Sequence, residues 1–118
     1  MKARVTAIHT YPVKDGPGTD LTECRVEEEG LAGDRRKKAP VYLVATEQQT
    51  PTTRANLVLD LTAEEISAAI GSAVLIGDTV LGLGGTTGSC SGSYAEVLRP
   101  GTVRVGDLVE LWTEEPVS

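Results

Sequence analysis

Apolar residues in this chain come in short, β-branched runs, and most runs are cut off by a glycine corner. Residues 40–46 (PVYLVAT) and 55–61 (ANLVLDL) are the most apolar of these. Runs of that length, bounded by turn residues, read as buried strands. Residues 4–10 alternate, with Val5, Ala7 and His9 on one side and Arg4, Thr6, Ile8 and Thr10 on the other, which is a strand of period two. Residues 21–28 are extended around Cys24 and Val26. A near-repeat, VLIGDTV at 74–80 and VRVGDLV at 103–109, places a Gly-Asp pair between two short runs, and each copy reads as strand–turn–strand. Thr62 and Glu65 have capping-box spacing; Ile66, Ala69 and Ile70 give the following helix one apolar face, and Gly71 ends it. Residues 93–98 read as one or two helical turns. About seven short strands with one clear helix predict a mainly β fold: a small closed or nearly closed β-barrel with one or two short helices, since closure removes exposed edges. Helices do not alternate with strands, so a Rossmann arrangement is excluded.

With 118 residues the chain makes a single domain, its core spanning about residues 3–111 and an acidic tail following at 113–118. Aromatic residues are 3% and Phe is absent, so the core must be aliphatic and stacking platforms for single-stranded nucleic acid are missing. A net charge of −6 argues against nucleic acid and anionic membranes as partners. Two Cys and one His exclude a disulfide scaffold, a four-Cys zinc site and a His-based metal site. The N-terminal stretch has neither a leader nor a membrane-span pattern, which predicts a cytoplasmic protein.

Three features carry chemistry. Arg35, Arg36, Lys37 and Lys38 stand in a row in an acidic chain, and Lys14 and Arg54 lie beside predicted turns. Such a run is either a solvated turn or an anion pocket, in which Arg offers a planar fork and Lys a mobile point charge. Cys90 sits in GSCSG (88–92), where small neighbours leave either an unremarkable Gly-rich loop or an accessible sulfur that nearby cations would help to deprotonate. Asn56, in the Arg54-Ala55-Asn56 entry to a strand, either reads the edge of a heterocycle or bonds the local backbone. Cys24 lies in a strand and reads as an inert, half-buried thiol, and His9, without ligand partners, as structural or exposed.

The order Tyr11-Pro12-Val13-Lys14, then Gly30 to Arg35 (GLAGDR), then Arg54 to Val58 (RANLV), then Cys90, then Gly101 to Asp107 (GTVRVGD) resembles the MOSC domain, the C-terminal domain of molybdenum cofactor sulfurases. The resemblance implies a barrel like the small β-barrel domain of pyruvate kinase and a site for the pyranopterin molybdenum cofactor. In cofactor-bound relatives the Cys matching Cys90 ligates molybdenum. The Lys and Arg matching Lys14 and Arg35 hold the phosphate or pterin, and the residues matching Arg54 and Asn56 contact the same group. In the sulfurase branch the Cys carries sulfur, which implies a PLP-dependent cysteine desulfurase or a molybdoenzyme acceptor as partner.

This chain departs from that pattern at several points. The connection 47–53 is shorter, Asp15 stands where a Ser often follows the Lys, Arg36 replaces an aromatic, and no additional helices follow Trp112. These differences favour a cofactor-binding or sulfur-carrier module over an enclosed catalytic centre. The alternatives are a molybdenum-dependent reductase of N-hydroxylated compounds, which would need a separate electron donor because no flavin, haem or iron–sulfur motif is present, and a non-catalytic interaction barrel.

Overall fold

The computed structural model describes residues 3–13, 16–34, 41–48, 55–85 and 92–112. Among them run β1 (Ala3–Thr10), β2 (Thr19–Leu21), β3 (Glu23–Glu27), β4 (Gly30–Leu31), β5 (Val41–Ala45), β6 (Leu57–Leu59), β7 (Ala73–Ile76), β8 (Thr79–Gly85), β9 (Ser93–Arg99), β10 (Gly101–Arg104) and β11 (Leu108–Trp112). One helix, α1 (Ala63–Ala69), and a 3-10 turn at Thr46–Gln48 complete the set. The strand order β11-β7-β8-β9-β5-β6-β1 closes on itself through a β1–β11 pairing, giving a seven-stranded barrel. β5 and β6 pair in parallel and every other neighbour is antiparallel. β2 pairs with the second half of β1, while β10, β3 and β4 form a separate small sheet. No helix among the described residues is long and apolar enough to cross a membrane.

The interior is aliphatic: Val5, Ile8, Leu43, Leu57, Ile76, Leu81 and Val109 are all at most 1% exposed. Side chains alternate along a strand, so Tyr42, Val44 and Val58 fall on the outer wall, where Val44, Ala55 and Val58 make a second buried cluster with Ala7 and Tyr42 against it.

Several expectations are corrected. In β1 a bulge between Val5 and Ala7 changes the phase, so Ala3 and Val5 face inward and then Ile8 and Thr10 do, not Ala7 and His9. Residues 93–99 form a strand, not helical turns, because β9 pairs with β8 on one edge and β5 on the other. The first Gly-Asp pair turns a true hairpin, β7–β8, with Gly77 at φ 60°. The second does not: β10 joins the small sheet and β11 the barrel, so Gly106 (φ 96°) is a corner between sheets. Its neighbours are stitched to β1, Val5 N donating to Asp107 O at 3.0 Å and Gly106 N to Val5 O at 2.8 Å. The two carboxylates share one task. Asp78 Oδ1 accepts from Thr102 N (3.0 Å) and Asp107 Oδ2 from Arg104 N (2.8 Å), which satisfies alternate amides of β10.

The capping box of α1 forms as expected, with Thr62 Oγ1 accepting from Glu65 N and Glu65 Oε1 from Thr62 N. Ile66 and Ala69 are buried, but Ile70 is 40% exposed because its backbone has already left the helix (φ −60°, ψ 132°).

Candidate functional site

Asn56 immediately precedes β6, is fully buried, and joins three distant parts of the chain. Its Oδ1 accepts from Tyr42 N (3.0 Å), and its Nδ2 donates to His9 O (3.2 Å) and Asp34 Oδ2 (3.1 Å). Its backbone N donates to Tyr42 O (2.7 Å), and its carbonyl accepts from His9 N (2.8 Å). Asp34 in turn accepts from Tyr11 N through Oδ1 (2.7 Å), and the Tyr11 hydroxyl reaches the Ala55 carbonyl at 3.4 Å. A buried amide is costly unless paired, and this one is paired to both neighbouring strands, β5 and β1, and to a turn. Asp34, Tyr11 and Asn56 thus bring the YPVK, GLAGDR and RAN pieces of the sequence to one place.

Of the five site residues expected from sequence, only Asn56 is among the described residues. Lys14, Arg35, Arg54 and Cys90 lie outside them, as do Arg36, Lys37 and Lys38. Their chain neighbours are well placed. Arg35 follows Asp34 directly, and Arg54 precedes Asn56 by two residues. Lys14 and Asp15 fall between Val13 and Gly16, which are joined by a hydrogen bond from Gly16 N to Val13 O at 3.0 Å. The same loop returns against Tyr11, where a Cβ added at Gly18 would sit 2.6 Å from the ring. Asn56 itself has its amide committed to protein partners, and these are two distant strands and a carboxylate, not the local backbone.

Cys90 belongs to the connection between β8 and β9, and both ends of that connection are fixed. Gly85 and Tyr94 are paired, and Tyr94 pairs in turn with Tyr42, so one row runs from Gly85 through Tyr94 and Tyr42 to Asn56. At the other end Gly92 adopts φ 79°, and a Cβ there would fall 2.2 Å from Leu43 O and 2.7 Å from Val44 Cγ1. Only glycine allows this backbone to lie on β5.

Three residues of this cluster carried no role in the sequence reading. Asp34 was legible only as part of a turn, and Tyr11 only as part of a motif. His9, expected to be structural or exposed, shows 15% side-chain exposure and places Nε2 3.0 Å from Asp20 Oδ1, directly across the β1–β2 pair. Cys24 lies in β3, as expected, but is buried instead of half-buried. Burial pushes its thiol pKa up, the Ala32 backbone opposes this in part, and Asp34 and Glu27 add to the rise. Among the described residues no group of three or more His, Cys, Asp or Glu is placed to hold a metal ion.

No protein-family model matches the sequence, and no curated protein matches it. Solved structures share the fold. The YuaD protein from Bacillus subtilis superposes with a TM-score of 0.80 at 15% identity, covering 98% of each chain. YiiM from Escherichia coli gives 0.72 at 17% identity over 98% of this chain and 71% of that one. YiiM from Geobacillus stearothermophilus gives 0.70 at 14% identity over 94% and 75%. At these identities the likeness establishes a common barrel fold.

Proposed function

We propose that this chain is a small MOSC-type domain that binds a molybdenum cofactor, or carries sulfane sulfur, through Cys90. The observation that carries the reading is the Asn56–Asp34–Tyr11 cluster. It ties together the three segments that bear Lys14, Arg35 and Arg54, and its Tyr42 side adjoins both anchors of the segment that bears Cys90. Chain reach alone keeps a residue within about 7 Å of an anchor two positions away. The barrel shared with YuaD and YiiM agrees with the fold that the resemblance implies.

The donor set fits an anionic, phosphorylated heterocycle with one thiolate-bound metal. Lys14, Arg35 to Lys38 and Arg54 are six of the chain's eleven cations. In this reading Arg35 and Arg54 clamp the phosphate, Lys14 neutralises it, and Arg36 to Lys38 attract it from a distance. Asp34 directs its oxygens at N–H donors of Tyr11 and Asn56, so both oxygens are engaged within the fold. Asn56 acts by positioning. A thiol near cations ionises more readily, and the thiolate is the form that ligates metal or accepts sulfur. When bound, the cofactor supplies a metal that changes oxidation state and accepts a thiolate ligand.

Alanine replacement tests the assignment. Arg35→Ala and Arg54→Ala each weaken phosphate or cofactor binding more than Lys38→Ala, because position outweighs general charge. Equal effects from all three would reduce the pocket to diffuse attraction and contradict the reading.

A further inference from the structure

β10 is an edge strand: it pairs with β3, Gly101–Arg104 lying against Glu23–Val26, and with no other strand among the described residues. Alternate backbone groups of a strand point to opposite edges, and those of Thr102 and Arg104 point away from β3. An edge of this kind is a template for pairing with another chain.

Both Gly-Asp turns converge on this edge. Asp78 Oδ1 accepts from Thr102 N at 3.0 Å, Asp107 Oδ2 accepts from Arg104 N at 2.8 Å, and Asp107 N donates to Arg104 O at 3.0 Å. The tip of the β7–β8 hairpin lies against the same edge: a Cβ added at Gly77 would fall 2.8 Å from Asp107 Oδ2 and 3.0 Å from Thr102 O. Both carboxylate bonds lie at the surface, where water would satisfy the same amides, so burial does not call for them. The Thr102 N–H, ahead of Asp78's own N–H and the charges of Arg104 and Arg25, holds the Asp78 carboxyl below the usual carboxylate range. An ionised carboxylate accepts but never donates, so it pairs an edge amide and gives a second strand nothing to continue from.

We propose that Asp78 and Asp107 close the outer edge of β10 as charged caps, and that the partner they keep out is a second copy of this chain. Antiparallel self-pairing of β10 centred on Val103 sets Thr102 of one copy opposite Arg104 of the other. These two residues then exchange both of their backbone bonds, and the two Arg104 side chains do not face each other. The same strand serves on both sides of a two-fold axis, so the contact closes at a dimer. Loss of the caps also unties the Gly77–Asp78 tip from Thr102, which clears the edge. The proposal uses neither Cys90 nor the cation-bearing segments, so it stands or falls apart from the proposed function.

Sedimentation velocity over a range of protein concentrations tests it, with the full chain as wild type, as Asp78→Ala/Asp107→Ala and as Asp78→Asn/Asp107→Asn. The two double variants lose the same charge, but only Asn keeps an oxygen that accepts from the edge amide. The Ala double variant is expected to dimerise about tenfold or more tightly than the wild type, and the Asn double variant to behave like the wild type. Adding Thr102→Pro to the Ala double variant removes an outward N–H and abolishes the gain. Equal association of the Ala and Asn variants would assign the effect to lost repulsion and overturn the caps. An Ala variant no more associated than the wild type, or association that survives Thr102→Pro, overturns them as well. If the Ala double variant does not fold, the same comparison between Asp78→Ala and Asp78→Asn decides, because Asp78 is exposed at the hairpin tip.

Discussion

The side-chain amide of Asn56 donates to the Asp34 carboxylate at 3.1 Å, joining residues 22 positions apart in sequence, and its oxygen holds the amide of Tyr42 at 3.0 Å. Removing it takes one partner each from the Tyr42 N–H, the His9 carbonyl and the Asp34 carboxylate. Asn56→Ala is therefore expected to cost about 2–4 kcal/mol in urea unfolding, more than a surface Asn. Asn56→Asp keeps the acceptor for Tyr42 but turns the donor side into a second carboxylate facing Asp34. Repulsion raises the pKa of the introduced carboxyl in the folded state, so the variant gains stability as pH falls and it protonates. A flat stability difference between pH 7 and pH 4 would contradict this geometry.

Gly92 and Gly33 both adopt positive φ, 79° and 88°, but only Gly92 is crowded. A Cβ at Gly33 meets nothing within 4 Å among the described residues, whereas at Gly92 it lies 2.2 Å from Leu43 O. Gly33→Ala costs the backbone penalty alone, about 1–2 kcal/mol. Gly92→Ala must also push β9 off β5, so its loss exceeds that of Gly33→Ala, as chemical unfolding of the two variants will show.

Thr79 is fully buried at the start of β8, and its Oγ1 has no hydrogen-bond partner among the described residues. Thr79→Val keeps the shape and removes the orphaned hydroxyl. The expected outcome is unchanged or higher stability, by up to about 1 kcal/mol. A clear loss in the denaturation midpoint would show that the hydroxyl has a partner.

Cys24 has its pKa raised by burial, with Asp34 and Glu27 contributing. The folded state thus favours the protonated thiol. Its contribution to stability is complete below the unfolded-thiol value, about 8.5, and is lost as pH climbs from there through the raised folded value. Cys24→Ala flattens that alkaline decline. In the native protein Cys24 reacts with thiol reagents at neutral pH only after unfolding, which peptide mapping of the labelled chain will reveal.

The barrel was legible because short β-branched runs with glycine corners have few other ways to bury their apolar faces, and the Thr62–Glu65 cap was legible because it is local. What escaped was set by pairing. The phase change in β1 depends on a bulge opposite β6, which strict alternation through Ile8 conceals. Residues 93–98 carry no decisive preference, and their two neighbouring strands decide the matter. The two Gly-Asp pairs look alike, yet Gly77 turns a hairpin and Gly106 moves the chain between sheets, because β10 finds β3 and not β11. In the site, Asn56 stood out for its chemistry, but its burial and its bond to Asp34 are tertiary facts. Charge and motif order pointed to Lys14, Arg35, Arg54 and Cys90; the described residues account for the frame to which these four are attached.

We propose Cys90 as the working thiol of a pterin- and sulfur-handling barrel. Native mass spectrometry of wild-type and Cys90→Ser protein, purified from a cofactor-replete, reducing source, tests it most directly. The account predicts that the wild type carries bound pterin with molybdenum, or one additional sulfur atom mapped to Cys90, and that Cys90→Ser, with an unchanged unfolding midpoint, carries neither the metal nor the sulfur. Identical loading of the two proteins, or a wild type bearing no pterin, no metal and no extra sulfur, would contradict it.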